Sequence, residues 1–194
     1  MKRLVAFLVL LALVAGVAYT VGHRTSSTPT TTTLATTTST TSTTLSTTTS
    51  TSSAVPCTSD ALTIGLSLTG GGTGTSTFQL IFQNTGNSPC SLLGTSSLQL
   101  RDMNGAAMPT ITVASTSGFS DAQANLPARS VRLEVGGKAL EDASYPSVPA
   151  GTQRTCPIAA SVDVLVPRTV SPASVQATIN PCGGGLIRLS PIFS

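Results

Sequence analysis

The sequence predicts an all-β fold for residues 57–194, and three observations carry that prediction. Apolar side chains alternate with small or polar ones at a period of two, which turns one face of each run towards a core. Clusters of glycine, proline and asparagine separate these runs. Helical periodicity is scarce. Together these features describe an antiparallel, immunoglobulin-like sandwich of about seven or eight strands, preceded by one membrane-engaging helix and a disordered stalk.

The membrane-engaging segment comes first. From Leu4 to Val21 the chain is apolar except for Gly16 and Thr20, with Lys2 and Arg3 before it. Its length exceeds the usual core of a cleaved signal peptide and reaches the lower limit for crossing about 30 Å of hydrocarbon. Gly16-Val17-Ala18 also supplies the small residues that a signal peptidase reads, so a retained anchor and cleavage after Ala18 both stay open. The positive charge before the segment directs the N-terminus inward and the remainder outward. Residues 1–24 are therefore read as anchor or signal. The expected location is extracytoplasmic, as a single-pass membrane protein or a secreted one.

Residues 25–56 are almost wholly Thr and Ser. With so little apolar surface to offset the entropy of ordering, the stretch is expected to be a disordered stalk. Its composition resembles mucin-like stalks, which makes O-linked glycans on the hydroxyls an expectation to be tested. Nowhere in the chain does an Asn-x-Ser/Thr acceptor occur.

The strands follow. Leu62, Ile64, Leu66 and Leu68 alternate, as do Phe78, Leu80 and Phe82, then Leu98 and Leu100. Val131, Leu133 and Val135 come next, followed by Val162, Val164 and Val166, then Val175, Ala177 and Ile179, and last Ile187 and Leu189. Turns are expected at Gly70-Gly71-Gly72, Asn84-Thr85-Gly86-Asn87, Asn104-Gly105, Gly136-Gly137, Pro149-Ala150-Gly151 and Gly183-Gly184-Gly185. Ser115 to Ala128 lacks a period and reads as a long loop with one short helical turn around Asp121 to Asn125. Only Phe78, Phe82, Phe119, Tyr145 and Phe193 can bring aromatic rings to this core, so it must be mainly aliphatic.

Four cysteines, Cys57, Cys90, Cys156 and Cys182, all lie in the domain. An even number outside the membrane predicts two disulfides. Three pairings are possible. Local closure favours Cys57 with Cys90 and Cys156 with Cys182, each stapling neighbouring strands. Zinc is a poor alternative, because there is no Cys-x-x-Cys pair and no histidine in the domain. No metal-ligating, cofactor-binding or catalytic set is nominated.

The formal charge of +3 invites a polyanion partner, but its positions argue otherwise. Lys2, Arg3 and Arg24 flank the apolar segment, whereas residues 57–194 hold seven basic and seven acidic side chains. A neutral domain without tryptophan lacks both the charge and the stacking surfaces that nucleic-acid binders use, so no nucleic acid is expected. The inventory also argues against an enzyme. His23 is the only histidine and sits at the membrane boundary, which removes any Ser-His or Cys-His pair from the domain. No Gly-x-Ser-x-Gly or Ser-x-x-Lys motif occurs, and neither triple glycine leads into Gly-Lys-Ser/Thr. Glu141 and Asp142 adjoin in an expected loop and read as solvated surface acids. A carboxylate pair from distant strands, Asp102 with Asp163 for instance, is the residual enzymatic possibility.

A resemblance rests on several of these residues. Cys57, the stretch from Asn84-Thr85-Gly86 to Pro89-Cys90-Ser91-Leu92, and Leu98 to Asp102 with Asn104-Gly105 resemble the first half of the domain of unknown function 4232 family, found in secreted proteins and lipoproteins of actinobacteria. Leu126-Pro127 before Val131-Arg132-Leu133, Cys156 before Val164 to Pro167, and Pro181-Cys182-Gly183-Gly184 before Leu189-Ser190-Pro191-Ile192 resemble the second. The likeness runs from Cys57 to Ile192. Three departures stand out: Ala128 where the family often has Gly, an extra insertion around Glu141 to Gly151, and no lipid-attachment cysteine. The resemblance implies an extracytoplasmic β sandwich at the cell envelope and supplies no catalytic residues.

Function is therefore expected among three classes. First is a noncatalytic binding or interaction module, displayed on its stalk to an unknown envelope ligand or protein. A structural envelope spacer without a specific ligand is the alternative, and an unrecognised carboxylate-dependent hydrolase the third. Convergence of Arg101, Arg129, Arg132, Arg154, Arg168 and Arg188 on one face would point to an anionic ligand.

Overall fold

The structure, a computed structural model, describes residues 55–194. The expected membrane segment, Leu4 to Val21, and the stalk apart from Val55 and Pro56 lie outside the described residues. Among the described residues no helix is long and apolar enough to cross a membrane.

The described residues are all-β, with ten strands rather than seven or eight: β1 (Leu62–Gly72), β2 (Thr75–Asn84), β3 (Cys90–Leu92), β4 (Ser97–Arg101), β5 (Ile111–Ala114), β6 (Val131–Leu133), β7 (Lys138–Pro146), β8 (Ala159–Leu165), β9 (Ala173–Ile179) and β10 (Leu186–Leu189). Two single 3-10 turns, Ser59–Ala61 and Gln123–Asn125, are the only helical pieces among them. The second falls where a short helical turn was expected. Five strands form one sheet in the order β1-β2-β7-β10-β5, three form another as β4-β8-β9, and β3 pairs with β6. The pairings are antiparallel except one, since β10 and β5 run parallel, Leu186 opposite Ile111. That departs from the wholly antiparallel expectation.

All three sheets feed one core. Phe78, Leu80 and Phe82 of β2, Leu98 and Leu100 of β4, and Val162 and Val164 of β8 belong to a single buried cluster. The edges of the larger sheets approach one another. Thr110 and Thr112 at the β5 edge accept the backbone N–H groups of Leu100 and Leu98 of β4 at 3.0 and 3.4 Å, so hydroxyls join the two sheets there.

Three corrections concern β1, β6 and β7. The first hairpin does not turn at its triple glycine. β1 continues through Gly72 with an irregularity between Leu68 and Gly70, and the turn is Thr73-Gly74, both at positive φ. Two successive left-handed residues match the right-handed twist of a two-residue hairpin, which explains the glycine at 74. Leu68 lies beyond the edge of the core and is exposed. Val135, expected in a strand with Val131 and Leu133, sits exposed in the turn after β6.

The largest correction is β7. Glu141 to Gly151 was expected to be an inserted loop, yet Lys138–Pro146 is a nine-residue strand between β2 and β10. Its inward residues are Ala139, Glu141, Ala143 and Tyr145, all buried. Two alanines and a glutamate do not register as a hydrophobic alternation, so the pattern conceals the strand.

Cys57 is bonded to Cys90, and Cys156 to Cys182, with Cα atoms 4.8 and 4.7 Å apart. Both close the local loops that sequence proximity favoured. The first also fixes the start of the domain. Pro56 bridges Ser91 in parallel, and Cys57 N donates to Ser91 O at 3.0 Å.

Asn84 explains much of the Asn-Thr-Gly stretch. Its side chain is fully buried, and its Nδ2 donates to Ser88 O at 2.9 Å and Leu133 O at 3.1 Å. Its Oδ1 accepts the Gly86 N–H at 3.0 Å. One amide thereby satisfies a turn and the end of β6 together. Gly86 sits in tight quarters, since a Cβ there would lie 3.0 Å from that of Ala61. The closing Ser-Pro-Ile is equally architectural. Ser190 Oγ accepts the Asp142 N–H at 2.9 Å, next to a proline that has no N–H of its own to donate.

Candidate functional site

Several of the expected site residues are taken up by local partners, and the arginines come from separate elements. Asp102 Oδ1 accepts the N–H groups of Asn104 and Ala106, both at 2.8 Å, and so shapes the Asn104-Gly105 turn. Asp163 accepts from Arg101 Nε at 2.7 Å in a partly exposed ion pair. Each acid of that distant-strand pair thus has a local partner. The arginines do not share an element either. Arg101 is on β4, Arg132 on β6 and Arg188 on β10, while Arg129, Arg154 and Arg168 are in loops. Arg132 pairs with exposed Glu134 and Arg129 with Gln123. Among the described residues no group of His, Cys, Asp and Glu is arranged to hold a metal ion.

Glu141 and Asp142, read as surface acids in a loop, are adjacent on β7 and hence face opposite sides of the sheet. Glu141 points into the core and is fully buried. Its Oε1 accepts the Ser96 backbone N–H at 2.8 Å, and its Oε2 has no hydrogen-bond partner. Burial raises its pKa from 4.5 to about 8. The N–H and the nearby hydroxyl of Ser96 favour the ionised form and offset only part of that rise. The hydroxyl itself closes no hydrogen bond. At neutral pH this carboxyl is mainly protonated.

Asp142 points the other way, into a cleft of about 360 Å³ on the outer face of the five-stranded sheet. Strand register builds its floor. Gln79 of β2 stands opposite Asp142 of β7, and Gln79 Nε2 donates to Asp142 Oδ1 at 2.8 Å. Thr77 lies two residues along β2 on the same face, and Thr69 joins it from β1, its hydroxyl donating to that of Thr77 at 3.0 Å. The wall is the loop between β5 and β6, which brings Phe119, Ser120 and Asp121 over the strands. Asn125 stiffens that loop. Its Nδ2 donates to Phe119 O at 2.9 Å, and its Oδ1 accepts the Phe119 N–H at 3.1 Å.

A second recess of about 340 Å³ on the same sheet is lined by Thr75, Ser144, Tyr145 and Arg188. The two are linked by register, because Thr77 of the first stands opposite Ser144 of the second, and Ser144 opposite Arg188. Of these residues the sequence singles out Arg188, as one of six scattered arginines, and Asp142, as a surface acid, and it joins neither to Gln79, Thr77 or Phe119. The alternation Thr75, Thr77, Gln79 between inward Phe78 and Leu80 is the one signal that marks them as a shared outer face.

These features define a small disulfide-braced all-β domain with a cleft on one sheet face, and two disulfides point to an extracytoplasmic setting. The chain belongs to the family described as Domain of unknown function (DUF4232), which matches residues 57–191. No curated protein and no solved structure matches it.

Proposed function

We propose that this chain is an extracytoplasmic, noncatalytic binding module of the cell envelope, an immunoglobulin-like sandwich carried on a Thr/Ser stalk behind the segment from Leu4 to Val21. The observation that carries the reading is the cleft over Gln79 and Asp142, a concave surface of mixed polar and apolar lining assembled from neighbouring strands and an ordered loop. Ligand sites favour such positions, where a rigid scaffold carries polar groups and a loop closes over them. A spacer needs no such surface. The sequence inventory counts against hydrolysis, and the buried Glu141 is separated from Asp142 by the sheet itself. Affinity capture from envelope extracts tests the proposal, using the full chain beside a variant carrying D142A and F119A. Retention of one envelope component by the parent and its loss from the variant is the expected result. Equal recovery by both would leave the spacer reading in its place.

A further inference from the structure

We infer that the cleft and its neighbouring recess form one groove that takes a polyhydroxylated ligand, a sugar chain, lying across β2, β7 and β10. The inference rests on the binding reading above and names the ligand class. Four observations converge on it. The lining chemistry is that of hydroxyl recognition: Gln79 and Asp142 present a planar amide and a planar carboxylate side by side. Their mutual hydrogen bond uses one atom of each, leaving the amide oxygen and the second carboxylate oxygen as acceptors for neighbouring hydroxyls of a sugar ring. Phe119 is half-buried in the wall, where a ring can cover the C–H face of the same sugar. Thr69 donates to Thr77 and Thr77 to Gly70 O at 3.1 Å, so both hydroxyls turn acceptor lone pairs towards a ligand made of hydroxyl groups.

Size and continuity give the second half of the argument. A cleft of about 360 Å³ lies near the lower end of ligand pockets, about 300–1,000 Å³, and suits a short segment rather than a folded partner. The row Thr77, Ser144, Arg188, set by direct cross-strand register, leads out of it into the second recess of similar size. A chain extending through both would place its next unit beside Arg188, which has no acidic partner among the described residues. A peptide fits less well. The groove's floor is the sheet's face rather than a free edge offering backbone pairing.

Titration of the full chain with chito- and gluco-oligosaccharides, from disaccharide to hexasaccharide, followed by residue-resolved NMR, tests this. Shifts confined to Thr77, Gln79, Phe119 and Asp142 are expected, spreading to Ser144 and Arg188 as the oligosaccharide lengthens. D142A and F119A should each weaken binding by about tenfold or more, as loss of a charged hydrogen bond or a stacking ring does. Absence of cleft shifts with every oligosaccharide would overturn the sugar assignment, as would binding indifferent to both variants. The two readings fail separately: if a protein without glycans is captured from envelope extracts in a manner dependent on Asp142 and Phe119, the binding reading stands and the sugar class falls, whereas equal recovery by parent and variant defeats the binding reading itself.

Discussion

The carboxyl of Glu141 accepts the backbone N–H of Ser96 at 2.8 Å in the centre of the core. The contact ties the loop before β4 to the middle strand of the five-stranded sheet. Burial pushes the folded carboxyl up to about 8 from 4.5 when free. Between these values the unfolded chain gives up a proton that the folded chain keeps. The stability from this group is therefore complete below pH 4.5, declines as the pH rises, and is gone above about 8. Each unit in that window is worth about 1.4 kcal/mol.

Glu141→Gln keeps the acceptor and removes the titration. Chemical denaturation across pH 4 to 9 should show a flatter profile for the variant, with a gain of about 1–3 kcal/mol at neutral pH. An unchanged slope would mean that Glu141 does not govern the profile.

Asn84→Ala removes three side-chain hydrogen bonds and leaves the Gly86 N–H and the Leu133 carbonyl to find others inside the fold. A loss of about 2–4 kcal/mol is expected from urea unfolding. Asn87→Ala, at an exposed position of the same turn, should change stability by less than about 0.5 kcal/mol.

Ser190→Ala withdraws the hydroxyl that accepts from Asp142 N. A cost of about 1–2 kcal/mol should appear in thermal melts, and amide exchange at Asp142 should quicken while Ala143 stays protected. Equal exchange in both proteins would show that the hydroxyl does not hold the join between β7 and the chain after β10.

The two disulfides close loops of similar size, with separations of 33 and 26 residues. Replacing either pair by alanine should lower stability by comparable amounts, about 2–4 kcal/mol in each case. A variant lacking Cys156 and Cys182 that melted like the parent would make the second bridge dispensable.

Mass analysis of the mature N-terminus decides between anchor and signal. Retention of Leu4 to Val21 is expected for a tethered module. A chain beginning at Tyr19 would establish cleavage and a secreted product.

Strands were legible where every inward position carries a large apolar side chain. β2 offers Phe78, Leu80 and Phe82, and β8 offers Val162 and Val164, so their period is plain. β7 hides because Ala139 and Ala143 are small and Glu141 is polar, although all three are buried. β5 hides for the opposite reason. It is short, and Ile111 and Val113 face outward. Disulfide pairing followed from proximity along the chain. The cleft did not, because it is made by register between strands 63 residues apart, Gln79 and Asp142, and by a loop whose path no local pattern encodes.

The clamp at the start of the domain has a mechanical meaning. A pull on the chain at Val55 reaches Cys57 after two residues and passes through the covalent bridge to Cys90. Tension therefore bypasses β1, which would otherwise be peeled from the sheet edge one hydrogen bond at a time. The parallel bridge between Pro56 and Ser91 takes the same pull lengthwise, where its bonds share the load instead of breaking in turn. A domain held at this point resists drag on its N-terminal end without losing the pairing of β1 with β2.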